Sequence, residues 1–219
     1  MGIFYSPTLV KDGLVLCLDA SNPRSYPGSG TAWKDLTSNN INAYSPTITY
    51  DSSNNGSLVL DRSTNYFSFG HNLLLEPANI TIIAWINLLD ISDRHILITK
   101  WLGWSFEIGA DRYPYFRVNG SSVTDLFSTV PITWGSWCQI ASTFDDINNI
   151  RTIAINGIVN NTVADTGSIS YNQSGFNIPY VGNPSYGKGK ISSLYIYNRA
   201  LSATEILQNF NATKSRFGL

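Results

Sequence analysis

The chain has 219 residues, of which 43% are hydrophobic and only 13% are charged, and its formal net charge is −1. This balance excludes a basic surface of the kind that holds a nucleic-acid backbone or an acidic membrane. The charged share is about half of the roughly 25% usual in soluble domains, so Ser, Thr and Asn must supply much of the polar surface.

The length suits one large all-β domain, since sandwiches of roughly 200–250 residues can form a single core. At this size folding buries roughly 70% of the surface of the unfolded chain, so neither a disulfide nor a metal is required. Residues 1–13 lack the apolar core of a signal peptide, and no apolar run approaches the roughly 20 residues of a membrane span. We therefore expect a soluble protein that is made in the cytoplasm.

Short β-rich runs alternate with turn residues along almost the whole chain. Asn156-Gly157 lies between two apolar runs and indicates a tight hairpin, because both central residues of a type I′ turn need positive φ. Many short strands at this spacing favour a sandwich or jelly roll. The predicted strands are residues 13–19, 41–49, 57–61, 64–69, 79–88, 95–101, 104–109, 113–118, 136–144, 150–156, 168–170, 178–182 and 188–197.

The C-terminal region indicates a helix. Ser202 and Glu205 have the spacing of a capping box, in which each side chain bonds the backbone N–H of the other residue. Ile206, Leu207 and Phe210 then share one helical face. A helix this short is unstable alone, so we expect it to pack on the sheet.

The two cysteines, Cys17 and Cys138, each lie within an apolar predicted strand. They are interpreted as buried free thiols that pack as small hydrophobic side chains. A disulfide would require the two strands to be neighbours, and the sequence leaves that alternative open.

Side chains with catalytic or metal-binding spacing are scarce. Glu76 and Glu205 have no partner carboxylate two or four residues away. Glu107 has only Asp111, across the Gly109 turn, and is interpreted as a solvated strand residue. Retaining glycosidases need two carboxylates about 5.5 Å apart. Both histidines, His71 and His95, are isolated in the sequence, which argues against a zinc site. The sequence therefore predicts a protein that is not an enzyme.

Several blocks, taken in order, resemble a laminin-G-like, or concanavalin A-like, jelly-roll domain. Residues 13–28 (GLVLCLDASNPRSYPG) open the resemblance, and residues 80–86 (ITIIAWI) and 137–145 (WCQIASTFD) carry its middle. Residues 189–206 (GKISSLYIYNRALSATEI) close it. The resemblance implies one domain over residues 13–219: an all-β sandwich of two antiparallel sheets with one short C-terminal helix.

The form of this domain looks most like the stand-alone type found in virion proteins of tailed phages. The resemblance therefore implies a non-enzymatic capsid decoration or accessory protein, located in the virion, that contacts the major capsid or tail protein and can form a homo-oligomer. Residues 1–12 are interpreted as an arm that binds this partner through Ile3, Phe4 and Tyr5, or else as the first strand. The alternative function is a stand-alone carbohydrate-binding module for attachment to a host or a polysaccharide.

Glycan binding combines an apolar wall with a few hydrogen-bonding side chains. The sequence offers this mixture in Trp101, Trp104, Arg94, Arg112 and Tyr113, provided that their loops converge. The alternative is that the two tryptophans flank a hairpin and cover a sheet edge.

Members of this superfamily often hold a structural Ca²⁺, so the resemblance implies calcium as a cofactor that folding does not require. The candidate ligands are Asp19, Asp61 and Asp145, the carboxylates at strand ends. A Ca²⁺ ion takes about six to eight oxygen ligands. The alternative is that each Asp caps a turn, and Asp61 is followed by Arg62 where relatives usually have Gly.

Overall fold

The computed structural model describes residues 7–100, 102–123, 125–172, 175–178 and 187–219. These residues form two antiparallel sheets and one C-terminal helix, as predicted. The elements are β1 (Leu14–Asp19), β2 (Ala32–Trp33), β3 (Ala43–Tyr44), β4 (Tyr50–Asp51), β5 (Ser57–Asp61), β6 (Phe67–Ser68), β7 (Ile80–Leu88), β8 (His95–Lys100), β9 (Trp104–Ile108), β10 (Pro114–Val118), β11 (Asp125–Phe127), β12 (Cys138–Asp145), β13 (Ile150–Ile155), β14 (Ile158–Ala164), β15 (Phe176–Ile178), β16 (Lys188–Tyr197) and α1 (Ala203–Thr213).

The first sheet, sheet A, has the strand order β14-β13-β12-β7-β16-β5-β4, and β1 pairs with β16 beyond the end of β5. β7 and β16 lie at its centre and are buried over nearly their whole lengths. One face of sheet A packs on the core between the sheets, and the other face packs under α1. Because β7 is covered on both faces, its sequence is a nearly continuous apolar run rather than an alternating one.

The second sheet, sheet B, has the strand order β11-β10-β9-β8-β15-β6-β3-β2. Its inner face contributes large side chains to the core, where they meet apolar side chains of sheet A. Since α1 packs on sheet A, the outer face of sheet B is left to loops and solvent. The largest fully buried aromatic side chains from sheet B are Trp33, Phe67, Phe106, Phe116 and Phe176.

Helix α1 begins with the predicted capping box. Ser202 Oγ accepts from the backbone N–H of Glu205, and the Glu205 carboxylate accepts from the backbone N–H of Ser202. Further along, Trp85 of β7 stacks on Phe210 of the helix and on Phe217 just beyond it, with ring centroids 5.7 and 4.1 Å apart. The helix is therefore held on sheet A by aromatic contacts, as its short length requires.

Residues 8–12 do not form a strand; they lie along helix α1. The backbone N–H of Val10 donates to Asn209 Oδ1 at 2.9 Å, and the Tyr197 hydroxyl donates to the Val10 carbonyl at 3.0 Å. Gln208 donates to the carbonyl of Thr8. This segment is therefore attached to the back of the domain.

The Asn156-Gly157 hairpin is confirmed. Asn156 has φ 51° and Gly157 has φ 77°, and the flanking residues Ile155 and Ile158 pair across the turn. Asn156 also accepts from the backbone N–H of Gln139 through its side-chain oxygen, which links the turn to β12.

Four predicted strands are wrong or incomplete. Residues 64–69 contain only the two-residue β6. Residues 41–49 contain only the two-residue β3, which is followed by Pro46, a residue without the N–H that a longer ladder needs. Residues 168–170 form no strand, and the Ser170 backbone N–H instead donates to the carbonyl of Asn119. The strand predicted at 178–182 is β15, which begins at Phe176, and residues 179–186 lie outside the described part of the chain. The sequence missed β2, β4, β11 and most of β14.

The cysteines are free and buried, which confirms the favoured interpretation. β16 and β7 separate the strand of Cys17 from that of Cys138. Neighbouring strands are about 4.8 Å apart, so the sulfur atoms are too far apart for a disulfide. Burial raises the pKa of each thiol to about 12.

Candidate functional site

A network of charged and hydroxyl side chains occupies the outer face of sheet B at its β8–β11 end. In β9, Phe106 and Ile108 enter the core, so the alternate residues Ser105 and Glu107 face outward. Strand pairing then adds outward residues from β10 and β11 beside them. We call this set the Glu107 cluster; its members are Arg94, Ser105, Glu107, Tyr115, Arg117 and Asp125.

Glu107 lies at the base of the cluster and is only 2% exposed. Ser105 Oγ donates to Glu107 Oε1 and the Tyr115 hydroxyl donates to Oε2, both at 2.5 Å. Arg94 Nη1 and Arg117 Nη1 lie 3.6 and 3.7 Å from the same carboxylate. The interpretation of Glu107 as a solvated residue is therefore wrong, because neighbouring strands bring cations and hydroxyls over it.

The two arginines of the cluster remain partly exposed, with 39% of each side chain accessible. Arg117 donates to both oxygens of Asp125, at 2.8 and 2.9 Å, and this bond raises the pKa of Arg117 above its usual value. Burial, together with the bond to Glu107, raises the pKa of Tyr115. At neutral pH the cluster therefore presents fixed guanidinium donors and a protonated phenol.

An exposed aromatic ring borders the cluster. Phe127 of β11 is 45% exposed, and its ring centroid lies 4.9 Å from that of Tyr115. The guanidinium of Arg117 lies 5.7 Å from the Tyr115 ring centroid, within the range of a cation–π contact. An apolar ring therefore adjoins the hydrogen-bonding groups of the cluster.

A row of polar residues continues from the cluster across sheet B. Directly paired residues share one face of a sheet, so the register places one outward polar residue on each of seven strands. We call this set the polar row; its members, from β11 to β3, are Asp125, Arg117, Ser105, Thr99, Asn177, Ser68 and Tyr44.

The far end of the polar row opens into a groove of about 450 Å³. Its walls include Tyr44, which is 56% exposed, and the partly buried Tyr66. The groove is also lined by three hydroxyl residues, Thr31, Ser45 and Ser68. We call it the Tyr44 groove, and it repeats the combination of aromatic rings and hydroxyls at the opposite end of the row.

The structure separates the residues predicted to bind glycan. Arg94 belongs to the Glu107 cluster, and Arg112 and Tyr113 lie in the β9–β10 turn at the same end of the sheet. Trp104 lies at the other end of β9 and is 2% exposed, with its ring 5.4 Å from Phe176 in the core. Stacking of a sugar on Trp104 is therefore wrong, and the turn before Trp104 does not converge with the loops of Arg94 and Arg112.

Four further predicted residues have no described position in the fold. Trp101 is outside the described residues, as are Ile3, Phe4 and Tyr5 of the predicted arm. Their roles therefore stay predictions.

The predicted calcium ligands do not fit one shared ion. Asp61 and Asp145 lie beyond opposite ends of the central strand β7, so they are at least about 25 Å apart at the usual rise per residue. Asp19 makes an ion pair with Arg216 at 3.0 Å. Among the described residues no three His, Cys, Asp or Glu side chains group as metal ligands.

Asp61 and Asp145 instead cap turns, as the alternative interpretation held. Asp61 accepts from the backbone N–H groups of residues 63–65. Burial raises the pKa of Asp61, but the side-chain bond from Thr64 and these backbone bonds outweigh it and lower the value to about 2. Asp145 accepts from the backbone of Ile147 and Asn148.

Sequence reasoning missed most of this face, although one signal was present. Polar residues occupy every second position in Ser105-Phe106-Glu107 and in Tyr115-Phe116-Arg117. This alternation is typical of a strand with one face on the core and the other face free. The exposed ring of Tyr44 carried no comparable signal, since β3 is only two residues long.

A family model described as the concanavalin A-like lectin/glucanases superfamily matches residues 61–207. The chain belongs to this superfamily. The matched region includes the whole Glu107 cluster but not the β2 and β3 side of the Tyr44 groove. A search of curated proteins finds no significant match.

Solved structures of the same fold include two toxin binding domains and a sialidase. The binding domain of Paraclostridial Mosquitocidal Protein 1 has a TM-score of 0.72 and 18% identity, over 91% of this chain and 52% of that one. Trypanosoma rangeli sialidase, in complex with the inhibitor DANA, has a TM-score of 0.71 and 14% identity, over 95% of this chain and 34% of that one. The binding domain of Botulinum Neurotoxin DC in complex with SialylT has a TM-score of 0.67 and 15% identity, over 92% and 52%.

These similarities establish the fold alone. The chain spans about half of the two toxin structures, at 52% each, and about a third of the sialidase, at 34%. As to membranes, α1 has only 11 residues, and the described residues contain no helix that is long and apolar enough to cross a bilayer.

Proposed function

We propose that the chain is a non-catalytic glycan-binding domain and that the Glu107 cluster is its binding site. The observation that carries this proposal is the fixed pair of partly exposed guanidinium groups, Arg94 and Arg117, held over buried Glu107 beside the exposed ring of Phe127. Small-molecule sites combine an apolar wall with a few oriented polar groups. A sugar offers hydroxyl oxygens to the arginines and an apolar ring face to Phe127.

The composition of the cluster argues against other partners. The cores of protein–protein interfaces are depleted in charged residues, whereas this surface is charged at its centre. Nucleic-acid sites carry excess positive charge, but here Glu107 and Asp125 balance Arg94 and Arg117. A neutral ligand rich in hydroxyl groups fits this balance best.

Both carboxylates of the cluster are already engaged. Glu107 accepts from Ser105 and Tyr115, and Asp125 receives the fork of Arg117. A general acid or base must instead reach a proton on the substrate. These bonds support a role in which Glu107 orients the arginines rather than one in catalysis.

The comparisons add support at the level of fold. The superfamily takes its name from lectins and glucanases, and one solved structure of this fold is a toxin binding domain in complex with SialylT. Another is a sialidase in complex with DANA. The proposal that this chain binds sugar is inferred from its own side chains, and the similar folds support it.

A glycan array tests the proposal, with the purified chain and the Arg94→Ala variant compared on the same slide. We expect the wild type to bind a defined set of glycans and the variant to lose about tenfold or more in affinity, because the guanidinium is a direct donor. Arg24→Ala, at an exposed arginine in the loop after β1, is the matched control and should bind normally. An array without hits, or equal binding by Arg94→Ala, would contradict the proposal.

The second candidate is the capsid decoration or accessory protein that the sequence resemblance implies. The attachment of residues 8–12 to helix α1 favours it, because it gives the predicted arm a defined attachment point on the domain. Light scattering of the full chain and of a variant without residues 1–7 tests this role. An oligomer that requires the segment supports a shell component, whereas a monomer in both cases contradicts self-assembly.

A further inference from the structure

The polar row is long compared with a single sugar. Arg117 on β10 and Tyr44 on β3 are separated by five strand spacings. At about 4.8 Å per spacing, the two side chains start about 24 Å apart. One sugar residue cannot contact both ends, so a ligand that uses the whole row must be a chain.

Each end of the row carries an exposed aromatic ring. Phe127 borders the row at the Glu107 cluster, and Tyr44 forms a wall of the 450 Å³ Tyr44 groove. Between them, Asn177 and Ser68 are partly exposed, and buried Thr99 and Ser105 lie at the floor. Rings at both ends with hydroxyl and amide groups between them match a ligand that presents apolar ring faces and hydroxyls repeatedly.

The charges and the shape of the row narrow the class of ligand. Positive charge on Arg94 and Arg117 is balanced by Glu107 and Asp125, and the central residues Thr99, Asn177 and Ser68 are uncharged. A polyanionic chain would gain little from such a surface. Directly paired residues also lie nearly in line across a sheet, so an extended chain follows the row better than a coiled one.

We propose that the binding site extends along the polar row into the Tyr44 groove and takes an extended, neutral, β-1,4-linked polysaccharide chain. This inference rests on the proposed glycan-binding function and deepens it. The Glu107 cluster and the Tyr44 groove act as two subsites joined by the row. Occupation of both by one chain should increase affinity in the manner of linked binding sites.

Isothermal titration calorimetry with oligosaccharides of increasing length tests the inference. The probes are cello-, xylo- and chito-oligosaccharides from disaccharide to hexasaccharide, with malto-oligosaccharides as α-linked, coiling controls. In at least one β-1,4-linked series we expect affinity to rise by about tenfold or more from disaccharide to hexasaccharide. The malto-oligosaccharides should show no such rise.

Variants at the two ends separate the subsites. Tyr44→Ala should reduce hexasaccharide affinity by about tenfold while leaving disaccharide affinity at the Glu107 cluster unchanged. Tyr44 is 56% exposed, so its removal should not unfold the domain, and thermal melting verifies this. Ile147→Ala is the matched control, because Ile147 is 78% exposed but lies in the β12–β13 turn of sheet A.

The outcomes distinguish this inference from the function on which it rests. If binding on the array depends on Arg94 but the affinity measured by calorimetry does not rise with chain length, the glycan-binding function is retained and the extended site is overturned. Failure of all three β-1,4-linked series, or an unchanged hexasaccharide affinity in Tyr44→Ala, also overturns the extended site. Absence of binding to any glycan on the array overturns both.

Discussion

His95 makes folding stability depend on pH in a direction that the structure specifies. It is the first residue of β8 and is fully buried, with its ring 5.1 Å from that of Trp134. Its Nδ1 accepts from the backbone N–H of Lys188, which suits the neutral ring. Burial lowers the pKa of His95 from 6.5 to about 4, and the charge of Arg62 acts in the same direction.

The magnitude follows from linkage between proton binding and folding. Between pH 6.5 and 4 the unfolded chain carries a proton on His95 that the folded chain lacks, so stability falls as the pH falls through this window. At about 1.4 kcal/mol per pH unit, the full loss is about 3 kcal/mol at most. Asp90 and Asp93 raise the pKa of His95 and reduce the loss.

Urea denaturation between pH 7.5 and pH 4.5 measures this effect in the wild type and in His95→Gln. Because Gln does not titrate, the variant should lose less stability over this range than the wild type, although it is less stable at pH 7.5. Carboxylates common to both proteins cancel in the difference. His71→Gln is the control, since His71 is partly exposed and paired with Glu76. Equal pH dependence in wild type and His95→Gln would refute the reasoning.

Two further predictions concern the hairpin and the thiols. In urea denaturation, Gly157→Ala should destabilise the domain by more than Gly135→Ala. Both glycines have positive φ, at +77° and +75°. A new Cβ at Gly157 would lie 2.8 Å from Phe210, whereas one at Gly135 would meet no atom within 4 Å. Similar losses would contradict the contact argument. Cys17 and Cys138 should react with a thiol reagent at pH 8 only as the protein unfolds, because burial raises the pKa of both to about 12. Rapid labelling of the native protein would contradict their burial.

Local signals in the sequence predicted the fold better than the site. The capping box at Ser202 and the Asn156-Gly157 turn depend on residues close in sequence, and both formed as expected. Glu107 was misinterpreted because its burial depends on Arg94, Tyr115 and other residues from separate elements. The register that brings them together is a long-range property, and a slip by one residue would turn every side chain of a strand to the opposite face.

Trp104 illustrates a different kind of error. Its position near a turn suggested exposure, but it shares the alternation of Phe106 and Ile108, both of which are buried in the core. The alternation of buried and outward residues along β9 therefore predicts the burial of Trp104 correctly, whereas its proximity to the turn does not. The polar row could not be predicted in this way, because three of its six neighbouring pairs, β8–β15, β15–β6 and β6–β3, join strands that are far apart in the sequence.

Because residues 8–12 are attached to helix α1, the two opposite surfaces of the domain differ in what they carry. Residues 8–12 and the helix both lie on the outer face of sheet A, whereas the polar row lies on the outer face of sheet B. A tether joined to the chain ahead of residues 8–12, such as an affinity tag on a sensor chip, would therefore hold the domain with the polar row directed away from the chip. Many copies mounted in this way would present parallel surfaces, and weak individual contacts with a repetitive ligand would combine into avidity.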